Sequence, residues 1–163
     1  MINKRDLLRH AVEVLVVVAF IQFVARFAIV HGFSMEGTLH DGDIVVVWQL
    51  GYQPKQGDVV VIHKDNPLNS YLTKRVIGIG GQHIISDGRQ VTVDGIYIQE
   101  PYVKGGIQSS VSFEQEIPAG TIFVLGDNRD YSIDSRSFGC LPEKVARGKV
   151  VFRIWPLNRI SLI

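Results

Sequence analysis

Two residues that could do chemistry together, Ser34 and Lys74, lie in unusual sequence settings. Ser34 follows an apolar run from Ala11 to Phe33, so its hydroxyl would lie just outside a membrane if that run spans one. Lys74 lies in a β-rich stretch beside apolar residues such as Leu72 and Val76. A lysine buried there loses water, its pKa falls, and its neutral amine can accept a serine proton. The pair could therefore form a Ser-Lys dyad that needs no histidine.

Taken separately, each of these residues has a simpler interpretation. Most serines are surface hydroxyls or helix caps, and a strand lysine often protects the edge of a sheet from aggregation. The dyad requires Lys74 to face inward, because burial lowers the pKa of the amine. Each unit by which the pKa falls raises the neutral fraction at pH 7 about tenfold. It also requires elements that bring Ser34 and Lys74 together and hold them rigidly.

A polar segment from Gly126 to Gly139 could supply such an element. It follows the apolar run Thr121–Leu125 and is dense in Asp, Asn, Ser and Arg. This density favours a tight turn with Asx hydrogen bonds, and Asp134 and Arg136 could form an ion pair that fixes the loop near the site. The alternative is a solvated surface loop.

The elements that must position these residues are predicted to be mainly β. Short apolar runs alternate with Gly-rich turns, and Asp-Gly pairs at 87–88 and 94–95 predict hairpins. We expect a compact folded sheet or partial barrel over residues 31–163. The predicted strands are 43–48, 57–63, 71–79, 82–86, 90–93, 96–99, 121–125 and 149–154, with one helical turn after Pro142. Residues 100–120 are predicted to form a substrate-facing flap or a plain surface loop.

Residues 1–30 are predicted to be a cytoplasmic N-terminus followed by one transmembrane signal anchor. The apolar run has about the length that a spanning helix needs. The basic residues Lys4, Arg5 and Arg9 precede it, which orients the N-terminus towards the cytoplasm and the rest of the chain outside.

Two other interpretations of the N-terminal run stay open. A cleaved signal peptide is disfavoured because Arg26 occupies a position that should be small. A buried helix of a soluble domain is kept open by the charges at Glu13 and Arg26.

Composition excludes several classes of protein. The net charge of +1 gives no reason to expect nucleic acid as a partner. The single cysteine, Cys140, excludes an intrachain disulfide and a cysteine-based metal site. We therefore expect neither a metal nor a cofactor.

The order of the motifs resembles that of the type I signal peptidases, membrane-bound serine proteases that remove signal peptides from exported proteins. The resemblance covers nearly the whole chain and matches the small, Gram-positive-like bacterial form. Its motifs, in order after the apolar run, are Ser-Met-Glu-Gly-Thr-Leu at 34–39, Gly-Asp-Val-Val-Val at 57–61, Lys-Arg-Val-Ile-Gly at 74–78, and the polar segment 126–139.

The resemblance implies a role for each candidate residue. Ser34 would be the nucleophile, with its own backbone N–H in the oxyanion hole, and Lys74 the general base. Ser132 would orient the Lys74 amine, and Asp134 with Arg136 would support it. The substrate would be a preprotein signal peptide, bound as a strand between residues 28–33 and 71–74 and cut after an Ala-x-Ala type site. The residues expected to line its small pockets are Val30, Met35, Leu39 and Leu72.

Two positions depart from the family pattern. Gly37 and Gly80 each stand where the family has proline, and we expect both to loosen a turn without removing a reacting group.

Alternative functions remain at this level. A catalytically weak relative acting as a scaffold or chaperone for surface assembly, such as pilus formation, is one. A soluble self-cleaving repressor is another, but neither a DNA-binding helical domain nor an Ala-Gly cleavage site is visible before Ser34. A mitochondrial inner-membrane protease subunit is a variant of the first interpretation. The expected location is the plasma membrane, in contact with the lipid bilayer and with the catalytic domain outside.

Overall fold

The computed structural model describes residues 3–103 and 112–163, and it confirms a mainly β fold. The elements are α1 (Lys4–Val24), β1 (Ala25–Ile29), β2 (Ile44–Trp48), β3 (Val59–Ile62), β4 (Leu72–Ile79), β5 (His83–Ser86), β6 (Val91–Val93), β7 (Ile96–Tyr97), β8 (Phe113–Glu116), β9 (Thr121–Leu125), α2 (Ser135–Phe138), β10 (Leu141–Pro142), β11 (Ala146–Trp155) and β12 (Ser161–Leu162). Single 3-10 turns cover Arg129–Tyr131, Glu143–Val145 and Leu157–Arg159.

The strands form two antiparallel sheets. The larger has the order β1-β2-β11-β3-β4-β9-β10, with β12 paired to β11, and the smaller has the order β7-β6-β5-β8. Three strands separate β1 from β4, yet residues of both line one cleft, so the large sheet is strongly curled. The predicted Asp-Gly turns connect β5 to β6 and β6 to β7, with Gly88 and Gly95 at positive φ.

The position of β4 decides between two interpretations of its lysine. β4 pairs with β3 on one side and β9 on the other, with Lys74 opposite Val60. An edge-strand role for Lys74 is wrong, because a lysine that protects an edge must reach solvent and Lys74 is 3% exposed. The chain has placed this lysine in the middle of a buried sheet.

The apolar run that was predicted as one anchor is divided between a helix and a strand. α1 ends at Val24, and β1 then pairs with β2 from Ala25 opposite Trp48 to Ile29 opposite Ile44. This pairing covers the edge that β2 would otherwise leave open. Within residues 3–103 and 112–163, no helix combines the length and the apolar character needed to cross a membrane.

Some elements were missed by pattern alone. β8 lies within the stretch predicted as a flap or loop, and it pairs with β5. The centre of that stretch, residues 104–111, lies outside the described residues. The short β10, β12 and α2 were also not predicted.

A buried carboxylate ties the C-terminal segment to the loop after β1. Asp43 is fully buried and accepts hydrogen bonds from Arg159 at 2.6 Å, from Arg153 at 3.3 Å and from the His40 N–H at 3.0 Å. Arg153 also donates to the Thr38 carbonyl at 2.8 Å. The end of the chain therefore holds the loop that carries Ser34 in place.

Candidate active site

Ser34 lies on a turn directly after β1, which we call the Ser34 loop (residues 32–39). Backbone hydrogen bonds from Thr38 and Leu39 to the Met35 carbonyl tighten it. Met35 and Leu39 are buried in a core cluster, and Val30 just before the loop joins them there. Apolar burial of these side chains therefore fixes where the half-buried Ser34 is presented.

Lys74 is 3% exposed, so its amine has been removed almost entirely from water. Its Nζ donates a hydrogen bond to Ser132 Oγ at 3.0 Å. Burial lowers the pKa of Lys74 to about 8, with the Asp134 carboxylate opposing the shift and Arg136 adding to it. An amine with this pKa exists in part as the neutral base at physiological pH.

The segment that carries Ser132 is organised by a fully buried carboxylate, Asp134. It caps α2 and accepts hydrogen bonds from the Arg136 side chain at 2.8 and 2.9 Å and from the Gly126 N–H at 3.0 Å. Burial alone would raise the pKa of Asp134, but these bonds and one from Ser132 hold it below its usual value. The structure thus contains the Asp134–Arg136 ion pair that the sequence predicted.

Gly126 is the point where the Ser34 loop and the polar segment meet. A Cβ atom added there would lie 2.3 Å from Ser132 Oγ and 2.5 Å from the Ser34 carbonyl oxygen. Next to it, the Asn128 N–H donates to that same carbonyl at 3.0 Å, and the Asn128 side chain donates to the Phe33 carbonyl at 3.0 Å. The absence of a side chain at Gly126 is what allows this close approach.

A second bridge joins the same two segments through the opposite face of β4. Asp127 accepts two hydrogen bonds from the Arg75 guanidinium, at 2.8 and 2.7 Å, and one from the Thr38 hydroxyl at 2.5 Å. The Arg75 guanidinium also lies 3.8 Å from the centre of the Tyr102 ring. Sequence analysis missed these roles, although one charge on each face of β4 was a visible signal.

A further buried ion pair supports the polar segment from behind. Glu100 pairs with Arg129, and both side chains are almost completely buried. The Arg129 Nε donates to the Gly126 carbonyl at 2.9 Å, and the Arg129 carbonyl accepts from Arg136 at 2.7 Å. Segment 98–103 therefore helps to hold the backbone at Gly126.

Ser34 and Lys74 both open on one cleft of about 750 Å³. Of the residues predicted to line substrate pockets, Leu72 lines this cleft. Val30, Met35 and Leu39 instead lie in the core beneath the Ser34 loop. An apolar residue near a site can line the cleft or lie in the core, and only the tertiary packing distinguishes these two positions.

Gly37 and Gly80, the two glycines expected to loosen a turn, have specific surroundings. Gly37 adopts φ of +116°, which proline cannot reach because its ring holds φ near −65°. A Cβ atom at Gly80 would lie 2.8 Å from the Gly120 nitrogen. A proline would therefore disturb both of these turns.

The described part of the chain contains no group of three His, Cys, Asp or Glu residues arranged to hold a metal ion. The groups that the cleft presents include the Ser34 hydroxyl and the partly neutral Lys74 amine.

The buried lysine predicts a pH-dependent gain in stability when it is replaced. The pKa of Lys74 is lower in the folded state than in the unfolded state. The unfavourable contribution of Lys74 to the free energy of unfolding is therefore fully present below about pH 8 and disappears as the pH rises to about 10.5. Lys74→Met should raise the free energy of unfolding at pH 7, by at most about 3 kcal/mol. Urea unfolding at pH 7 and pH 10 measures this, with the exposed Lys144→Met as control. An equal effect of Lys74→Met at both pH values would contradict the buried-amine account.

The contact at Gly126 predicts a destabilisation larger than backbone strain alone produces. Gly126→Ala should lower the free energy of unfolding by about 3 kcal/mol, because its Cβ collides with Ser132 and the Ser34 carbonyl. Gly120→Ala is the control, since Gly120 has φ of +73° but open space around it. Strain there should cost about 1 kcal/mol. Equal losses in the two variants would show that the close approach at Gly126 is unimportant.

Comparison with known proteins identifies the family. A family model described as signal peptidase, peptidase S26, matches residues 5–155. Signal peptidase IB of Staphylococcus aureus (strain Mu50 / ATCC 700699) is 34% identical over 182 residues, covering 97% of this chain and 94% of that protein. Signal peptidase I of Leptolyngbya laminosa is 35% identical over 152 residues, covering 85% of this chain and 73% of that protein.

A solved structure supports the fold. The crystal structure of a signal peptidase I from Enterococcus faecalis V583 aligns with a TM-score of 0.54 at 24% identity, covering 61% of this chain and 98% of that chain. The chain therefore belongs to the peptidase S26 family of type I signal peptidases, which are serine peptidase hydrolases.

Proposed function

We propose that this chain removes N-terminal signal peptides from exported preproteins, with Ser34 as the nucleophile and Lys74 as the general base. One observation carries the proposal. The Lys74 amine is buried, is held by Ser132, and opens on the same cleft as Ser34. A pKa of about 8 leaves about one amine in ten neutral at pH 7, against about one in 2,500 for an unperturbed lysine.

The proton transfers follow from the chemistry of a neutral amine. One N–H of Lys74 bonds to Ser132. We propose that this bond leaves the nitrogen lone pair free to face Ser34. Ser34 Oγ attacks the scissile carbonyl carbon while its proton passes to Lys74. The tetrahedral intermediate collapses, Lys74 gives that proton to the departing amine, and an ester of the signal peptide remains on Ser34. Water, deprotonated by Lys74, then hydrolyses the ester and restores the hydroxyl.

The backbone N–H of Ser34 is proposed to stabilise the oxyanion of that intermediate. Within the described part of the chain, this N–H makes no hydrogen bond to another protein group. Position 32 is a glycine, so no hydroxyl two residues before Ser34 can assist. The Asn128 bonds to the Phe33 and Ser34 carbonyls support the role, because they hold this stretch of backbone rigid.

The substrate is proposed to bind as an extended strand between β1 and the start of β4. β1 is an edge strand of the large sheet, so its outer backbone groups can pair with a peptide. Ala28 and Leu72 both line the cleft and suit small residues such as those of an Ala-x-Ala site. Val30, Met35 and Leu39 contribute from beneath by holding the Ser34 loop in position.

We also propose that the protein is held at the plasma membrane by α1, with the N-terminal end of α1 at the cytoplasmic side and the sheets from β1 onwards outside. Leu8 and Leu15 of α1 are each 67% exposed, and large apolar side chains on a helix favour apolar surroundings. The three basic residues at positions 4, 5 and 9 favour the cytoplasmic side.

The dyad predicts a specific pH dependence of cleavage. For a preprotein with an Ala-x-Ala site, kcat/KM of the purified wild type should rise with pH and level off above about pH 8, as Lys74 loses its proton. Ser34→Ala and Lys74→Ala should abolish cleavage, whereas the exposed Lys144→Ala should retain the wild-type profile. Full processing by either active-site variant would refute the proposed mechanism.

The topology predicts where a C-terminal reporter will act. A reporter enzyme that is active only outside the cytoplasm should be active when it is fused after Ile163. Extraction with alkaline carbonate should leave this fusion protein in the membrane fraction. The control is the same fusion lacking residues 1–24, which removes α1 but leaves β1 in place. An active cytoplasmic reporter on the full chain would refute the topology, and carbonate extraction of the full chain would refute the anchor.

A further inference from the structure

The cleft that contains Ser34 and Lys74 carries positive charge without an acidic counterpart. Arg26 of β1 and Arg147 of β11 both line it, and both are exposed. None of the described residues that line the cleft is Asp or Glu. Within the described part of the chain, neither arginine forms an ion pair with a carboxylate. Two solvated guanidinium groups are therefore available to an anionic group that enters the cleft.

The backbone of β11 places Arg147 at this position. β11 pairs with β3 at Ala146 opposite Ile62 and at Gly148 opposite Val61, so Arg147 is the extra residue of a β-bulge. Bulges next to active sites commonly redirect one side chain. This bulge directs Arg147 into the cleft, a position that regular pairing would not assign to it.

Gly148, the residue after Arg147, allows the backbone of β11 to form this bulge. A Cβ atom at this position would lie 2.2 Å from the Trp48 carbonyl oxygen of β2. Only glycine allows β11 and β2 to approach so closely immediately after the bulge. The placement of Arg147 therefore depends on strand packing and not on a freely moving surface side chain.

The geometry of the cleft indicates which part of a peptide would meet these arginines. Ser34 follows the C-terminal end of β1, whereas Arg26 lies near its N-terminal end. An extended peptide advances about 3.3 Å per residue, as β1 does. A peptide running beside β1 would therefore reach Arg26 and Arg147 roughly four to six residues from the bond next to Ser34.

We propose that Arg147, assisted by Arg26, binds a carboxylate side chain of the substrate, located several residues before the scissile bond. The enzyme then prefers preproteins with Asp or Glu in that part of the signal peptide. The inference rests on the proposed function, because that function places the residues before the cut in this cleft. Both arginines are exposed, so the preference is modest and salt-sensitive.

The test uses full-length protein in a neutral detergent without anionic lipid, so that lipid phosphate cannot occupy the cleft. Peptides with a constant Ala-x-Ala site at −3 to −1 carry Glu, Gln or Lys at one position at a time, from −7 to −4. At one of these positions, wild type should cut the Glu peptide with about three- to fivefold higher kcat/KM than the Gln peptide, mainly through KM. Raising the salt concentration should shrink this ratio.

Variants at Arg147 test whether this residue causes the preference for Glu over Gln. Arg147→Gln should reduce the Glu-to-Gln ratio to about one, and Arg147→Glu should make the Lys peptide the preferred one. The ratio is measured within each variant, so a general loss of activity does not affect it. Arg89→Gln, at an exposed arginine in the turn between β5 and β6, should keep the wild-type ratio. A preference that survives Arg147→Gln overturns the assignment.

Failure of this inference can be told from failure of the proposed function. If wild type cleaves the peptides but treats Glu and Gln alike at every position, the carboxylate site is refuted and the peptidase function stands. If no peptide is cleaved, the proposed function is refuted. In that case, fluorescence anisotropy of the same labelled peptides with Ser34→Ala decides the site, and equal affinity for Glu and Gln peptides overturns it.

Discussion

The burial of one amine, that of Lys74, is the constraint on which the rest of this site depends. A charged ammonium is unfavourable inside a sheet, and this desolvation lowers the pKa of the amine, so that part of it is neutral at physiological pH and can accept a proton. The Asp134 carboxylate limits the shift, so the pKa settles at about 8 and falls no further. The central position of β4 and the contact with Ser132 sustain this balance.

The remainder of the site brings two distant stretches of chain together around that amine. The Ser34 loop and the polar segment touch at Gly126, and they are joined on the other face of β4 through Asp127, Arg75 and Thr38. The polar groups that form these bridges are hydrogen-bonded to one another across the two segments. They therefore hold the Ser34 loop in one position. Loops usually move, but this one is held from the core, from the C-terminal segment and from the sheet.

The cleft combines two kinds of positive residue with opposite physical roles. Lys74 is buried, and its value lies in losing its proton. Arg147 is exposed, always charged, and lies at a bulge that lines the same cleft. The lowered pKa of Lys74 serves the proton transfer that we propose. The permanent charge of Arg147 would select the peptides that are cleaved.

The sequence by itself determined the β class, most strands, the Asp-Gly hairpins, the candidate pair Ser34 and Lys74, and the Asp134–Arg136 ion pair, because alternation, turn residues and short-range spacing are local signals. It could not separate β1 from α1, since an unbroken apolar run suits both a helix and a strand. Only the tertiary structure decided that Met35 belongs to the core and that a bulge directs Arg147 into the cleft. Those outcomes depend on contacts between residues far apart in the chain, and no local pattern contains them.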